Sequence, residues 1–151
     1  MKRLALYALI LAIVWIIPVK PTDVAKLQPV EVIAIYQTAD TVYLSTDTGD
    51  FGVGKDALSA LTNMKQTSAS IIYLDTAEYL LIGKGAQSAA QYLRQELKPS
   101  VMLCQVTGKV DFAQAAKYLD THGELPCLRR WNEQNALPVL NVQNGRMCFQ
   151  K

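Results

Sequence analysis

Directly behind Met1-Lys2-Arg3 stands an uninterrupted uncharged run, Leu4 to Val19 (LALYALILAIVWIIPV), and it constrains the chain more than any other stretch. At ~1.5 Å per helical residue this run is near the short limit for crossing a hydrocarbon core of roughly 30 Å. Tyr7 and Trp15 stand where amphipathic rings favour the two interfaces. The expectation is an N-terminal transmembrane helix that stays on the protein. A cleaved secretory signal has the same basic start and apolar middle, but cleavage wants small residues after the run. Here the chain continues Pro18-Val19-Lys20-Pro21-Thr22-Asp23. A buried core helix is the remaining reading. Lys2 and Arg3 before the run, against Lys20 and Lys26 after it, give a slight positive-inside bias. That bias puts the N-terminus in the cytoplasm and the remainder outside, as a single-pass membrane protein, secreted if the run is removed. No Cys stands at the end of the run, which excludes lipid attachment there.

The anchor or signal occupies residues 1–20 and a proline-containing linker residues 21–29, leaving 30–151 for one globular α/β domain, enough chain for a single core. The chain has 15 basic and 13 acidic residues; without Lys2, Arg3 and Lys20 the balance is 12 to 13. No basic cluster is interleaved with aromatics, so nucleic acid is not a partner class.

Val30–Tyr36 (VEVIAIY) and Thr41–Thr46 (TVYLST) are rich in β-branched and aromatic residues, with Gln37 to Asp40 between them as a hairpin loop. Gly49 to Gly54 (GDFGVG) reads as a glycine turn, with positive φ at Gly54. Leu58, Leu61 and Met64 then share one helical face. Ile71–Leu74 and Tyr79–Ile82 read as short strands. Ala86, Ala90, Leu93 and Leu97 line a second helix, which must end before Pro99. Val101–Val106 is a strand. Asp111 caps a third helix with Gln114 as its capping-box partner and Phe112, Ala115 and Leu119 facing inward. Leu125, Leu128 and Trp131 suggest a short helical piece, and Gln143-Asn144-Gly145 joins a C-terminal hairpin. The expected fold is therefore α/β: a mixed sheet of about five strands with three helices packed on it, plus the C-terminal hairpin, after the transmembrane helix.

From Pro29 to about Leu119 the order of features resembles the N-terminal domain of Ger(x)C-type spore germination proteins. The matching residues are Val30-Glu31-Val32-Ile33-Ala34-Ile35, Gly54 followed by Ala57-Leu58-Ser59-Ala60-Leu61, Ile72-Tyr73-Leu74-Asp75, Tyr79-Leu80-Leu81-Ile82-Gly83 and Val106-Thr107-Gly108. The resemblance implies a non-enzymatic, extracytoplasmic domain that works beside membrane receptor subunits in sporulation or germination. This chain departs from that pattern in lacking a lipobox Cys, and no individual functional residue is carried over.

Several motifs invite chemistry that their surroundings do not support. Gly49 to Asp56 (GDFGVGKD) is one residue short of a P-loop, and Asp56 replaces the Ser/Thr that would hold Mg²⁺. Asp47-Thr48-Gly49 matches the aspartic-protease triplet, a chemistry that needs two carboxylates sharing a proton and hence a second copy. Asp40, Asp47 and Asp50 lack the alternating spacing of a calcium loop. His122 is the single histidine and is placed to cap the third helix, while Cys104, Cys127 and Cys148 lack C-x-x-C spacing. No catalytic residue, metal or cofactor is expected.

The functional expectation is a membrane-tethered, extracytoplasmic interaction domain whose partner is another membrane or envelope protein. The alternative is an envelope hydrolase using the Asp47 region. The candidate contact residues are Phe51, Arg129, Arg130 and Trp131, because aromatic residues and Arg are enriched at interface hot spots. Core packing of Phe51 and Trp131 is the competing reading for both. Cys127 and Cys148 flank the tail and form the candidate disulfide, which an oxidising compartment permits.

Overall fold

Two apolar segments are hydrophobic at every position rather than at alternate ones, and that makes them the centre of the sheet. Val32 to Ile35 and Tyr79 to Gly83 are buried throughout, as strands covered on both faces must be. The computed structural model describes residues 26–122, 124–132, 134–143 and 145–150. The expected transmembrane helix lies outside the described residues. Among the described residues no helix is long and apolar enough to cross a membrane.

In chain order the elements are β1 (Leu27–Pro29), β2 (Val32–Thr38), β3 (Thr41–Thr46), β4 (Phe51–Gly54), α1 (Ala57–Thr67), β5 (Ile71–Tyr73), β6 (Tyr79–Gly83), α2 (Gln87–Tyr92), β7 (Met102–Thr107), α3 (Phe112–His122), β8 (Val139–Gln143) and β9 (Arg146–Gln150). Short 3-10 turns follow β5 and α2. The main sheet has seven strands in the order β4-β3-β2-β6-β7-β8-β9, and β1 pairs with β5 in a separate two-stranded sheet. β2, β6, β7 and β8 run parallel, with antiparallel strands on both flanks. The α/β class, mixed sheet, three helices and C-terminal hairpin agree with the sequence reading. The count of about five strands does not.

One of the added strands is β4, where a glycine turn was expected. Gly52 and Gly54 do not take positive φ. They are glycine because α1 lies on them: a Cβ on Gly52 would stand 2.2 Å from the Ala60 carbonyl oxygen, and one on Gly54 2.3 Å from the Ala60 nitrogen. The conformational freedom was expected at Gly54 but is used at Gly49 (φ 88°), in the turn that leads into β4. The Asn63 side chain accepts the Val53 N–H at 3.1 Å, so α1 also satisfies a donor on this edge strand.

Asp56 starts α1 by accepting the Ser59 N–H at 2.7 Å while the Ser59 hydroxyl accepts the Asp56 N–H, a reciprocal capping box. Its inward face is Ala57, Ala60, Leu61 and Met64; Leu58 points out. The Asp111 cap of α3 holds as expected, taking the Gln114 N–H at 3.1 Å.

The helices divide between the two faces. α1 and α2 pack with Ile33, Ile35, Leu80, Ile82 and Leu103 on one face. α3 packs with Val32, Ala34, Tyr79, Leu81, Cys104 and Val106 on the other. Between α3 and β8 the chain changes sides: Leu125 belongs with α3, whereas Leu128, Trp131 and Leu137 belong with α1 and α2. It crosses beside the start of β7, where Leu103 N–H donates to the Pro126 carbonyl at 2.9 Å and Leu128 N–H to the Val101 carbonyl at 2.7 Å. On β7, β8 pairs only with Gln105 to Thr107. The edge of β7 is thus satisfied by two different segments, and the expected helical piece at residues 125–131 is a turn instead.

Candidate functional site

Arg94 is the residue that organises the most prominent groove. Its guanidinium reaches from the turn after α2 and donates to the Leu128 carbonyl at 3.1 Å and the Arg129 carbonyl at 3.3 Å. This ties the 128–130 turn against the end of α2. Three clefts then adjoin. The first, of about 700 Å³, is lined by Leu58, Ser88, Gln91, Tyr92, Arg94 and Gln95. A smaller one shares Arg94 and adds Pro99 and Arg129. The third, of about 820 Å³, shares Pro99 and Arg129 and adds Ser100, Leu125, Cys127 and Arg130. Together they form an open groove with apolar ends, Leu58 with Tyr92 and Leu125 with Met102, and arginines between.

Among the described residues no carboxylate lines it. The ion pair nearby, Lys65 to Glu96 at 3.0 Å, leaves Glu96 engaged elsewhere. Arg94, Arg129 and Arg130 are exposed and make no ion pair among the described residues. Three guanidinium groups along an open groove with no described carboxylate favour an anionic occupant, and their planar donors suit carboxylates and phosphates.

Of the expected contact residues, Arg129 and Arg130 lie in this groove. Trp131 does not: it is 2% exposed, part of the core under α1 and α2, and its Nε1 has no hydrogen-bond partner among the described residues. Phe51 is 52% exposed but lies on β4, outside the groove lining, against Tyr43 with ring centroids 6.1 Å apart. The four residues are therefore not one surface. Nothing local in the sequence marks Arg94, which meets residues 34 and 35 positions away.

The Cys127–Cys148 pair is not brought together. All three cysteines are free. Cys127 is bridged to Met102 at the start of β7, while Cys148 pairs with Asn141, itself opposite Thr107 at the far end of that strand. At ~3.3 Å per residue along β7 the separation is roughly 17 Å, far beyond disulfide reach. Cys104 is buried among the α3-facing residues, and burial pushes its thiol up to about 12.

Asp47 serves the backbone. Its carboxylate accepts the Glu31 N–H at 3.2 and 3.3 Å, bracing the turn after β3 against the start of β2. Burial first, then the charges of Asp47, Glu78 and Asp120, hold the Glu31 carboxyl above its usual range. Asp120 accepts the Tyr79 hydroxyl at 2.6 Å, and burial together with that carboxylate pushes the phenol well above its ordinary value. His122 caps α3 as expected, its Nδ1–H donating to the Tyr118 carbonyl at 3.1 Å with the rings stacked at 4.5 Å. The P-loop-like stretch is no phosphate cradle, since its glycines lie in β4 beneath α1. The Asp56 carboxyl is held below its usual range by the Ser59 N–H and hydroxyl.

The chain matches no protein-family model, no curated protein and no solved structure.

Proposed function

We propose that this protein is a non-enzymatic, membrane-tethered interaction module whose extracytoplasmic domain receives an acidic segment of another envelope protein. The observation that carries the reading is the set of adjoining clefts lined by Arg94, Arg129 and Arg130, with no carboxylate among the described lining residues. The apolar run before residue 20 supplies the tether. A tether raises the local concentration of the domain near other membrane components, so a modest groove affinity suffices for occupancy. The likeness of residues 29–119 to the germination family adds sporulation or germination as the setting. The hydrolase alternative gains nothing from Asp47, whose carboxylate is engaged with the Glu31 backbone.

Site-specific photocrosslinking in intact cells tests this. A photoreactive residue at Tyr92 or Ser100, which line the groove, is expected to give an adduct with a membrane protein. Arg129→Glu with Arg130→Glu should reduce that adduct at least tenfold without changing the amount of chain in the membrane. Adducts only from Phe51, outside the groove, would refute the groove as the site. Asp47→Asn should leave the groove adduct intact.

A further inference from the structure

The two-stranded sheet sits where the described chain begins, and its outer face is apolar. Paired residues on neighbouring strands point the same way. The register Leu27 to Ile71, Gln28 to Ile72 and Pro29 to Tyr73 therefore sorts the side chains. Ile72 faces the core, packed with the α1 and α2 residues. On the outer side Leu27, Pro29, Ile71 and Tyr73 make one patch with no charged member, its one polar group being the Tyr73 hydroxyl. Ile71 is 49% and Tyr73 41% exposed, Pro29 is exposed and Leu27 half-buried. A sheet face turned to water ordinarily carries polar residues, in the alternation seen where one side is solvated.

The platform is rigid. The Thr76 hydroxyl accepts the Val30 N–H at 3.0 Å and lies 2.9 Å from the Val30 and Tyr73 carbonyls. Val30 leads within two residues into β2, the centre of the main sheet. The patch thus keeps a set orientation relative to the whole domain.

What covers it follows from where the chain goes. Only residues 20–25 separate the apolar run, which ends at Val19, from Lys26. Whatever its conformation, a stretch of that length spans no more than about 25 Å. The interfacial region of a bilayer extends several ångströms beyond the hydrocarbon core. A domain so tethered cannot move its first strand far from lipid. We infer that the outer face of the β1–β5 sheet is a bilayer-docking face, with Ile71 and Tyr73 seated at headgroup level. Tyr is suited to that depth, having an apolar ring and a polar tip. Docking orients the domain: the sheet face carrying β1 and β5 lies on the lipid, and the arginine groove stands at a defined height for its partner. The inference rests on the tether reading above and adds to it the surface that meets the membrane.

The full chain, with Cys127→Ser and Cys148→Ser, is labelled with an environment-sensitive fluorophore at Ile71→Cys and reconstituted into phosphatidylcholine–phosphatidylglycerol vesicles. The same label at Phe51→Cys is the reference, being equally exposed but on the side of the main sheet turned away from α1 and from Ile72. Both positions are surface sites, so folding is preserved, and thermal unfolding checks it. The expected result is a blue shift at position 71 and quenching, at least twofold stronger than at position 51, by lipids spin-labelled near the headgroup. Equal weak quenching at both sites, with the chain floating with the vesicles, overturns the docking face while leaving the tether intact. A blue shift at 71 that spin-labelled lipid does not quench also overturns it and points to a second copy or another protein on the patch. Failure of the chain to float with vesicles overturns the tether, and the docking face with it.

Discussion

Gly52→Ala is the substitution that tests most directly how this domain is assembled. The new methyl would lie 2.2 Å from the Ala60 carbonyl oxygen, 2.6 Å from Met64 Cβ and 3.0 Å from the Met64 nitrogen. Ordinary carbon–oxygen contact needs roughly 1 Å more, and rotating a side chain cannot supply it because the obstacle is helix backbone. α1 must lift from β4, loosening Ala57, Ala60, Leu61 and Met64, all at most 3% exposed. Overpacking that flexible side chains absorb costs about 1–3 kcal/mol, so displacement of backbone belongs at or above the top of that range. We expect a loss of about 3 kcal/mol, or a fall in Tm of roughly 10 °C for a domain of this size. Urea unfolding of the full chain, followed by circular dichroism, reads it. Gly85→Ala provides the comparison: its φ is +83° with nothing within 4 Å. It therefore carries only the left-handed penalty of about 1–2 kcal/mol. If Gly52→Ala stays within ~0.5 kcal/mol of the parent, the close approach of α1 to β4 is wrong, and with it the explanation of why β4 is glycine-rich.

Three further outcomes follow from single features. Ala39 closes the β2–β3 hairpin at φ +49°; Ala39→Gly should raise stability by roughly 0.5–1 kcal/mol in denaturant melts, since relief of left-handed strain exceeds the added chain entropy. Trp131→Ala should cost about 3–5 kcal/mol because the ring is buried, whereas Arg130→Ala should change stability by less than ~0.5 kcal/mol. Burial raises the Cys104 thiol from an ordinary 9.0 to about 12, so the folded state holds its proton longer than the unfolded chain. Its contribution is complete below pH 9 and is lost as pH rises toward 12, in the same direction as buried Tyr79. Urea midpoints between pH 8 and 10.5 should fall less steeply for Cys104→Ala than for the parent, and equal slopes would count against the burial of that thiol.

Residues whose partners are near in sequence were legible before any fold was known. β3 is where its β-branched residues put it, Asp111 caps α3, and the β8–β9 hairpin flanks Gly145 at φ +74°. Local backbone preference and side-chain period carry that information, because both act over a few residues. Val32 to Ile35 and Tyr79 to Ile82 were likewise legible as strands, while their burial on both faces emerged only in the fold. Other assignments needed the tertiary structure. Glycine at 52 and 54 signals a turn in sequence but proximity in space, since either a positive φ or an approaching helix excludes a Cβ. Trp131 beside Arg129 and Arg130 reads as one patch, yet the turn at 128–130 sends the indole inward and the guanidiniums out. The groove exists because Arg94 meets carbonyls 34 and 35 residues away, and the apolar docking patch because β1 meets β5 over 44. Such contacts are decided by how elements pack, and no window of the sequence contains both halves of them.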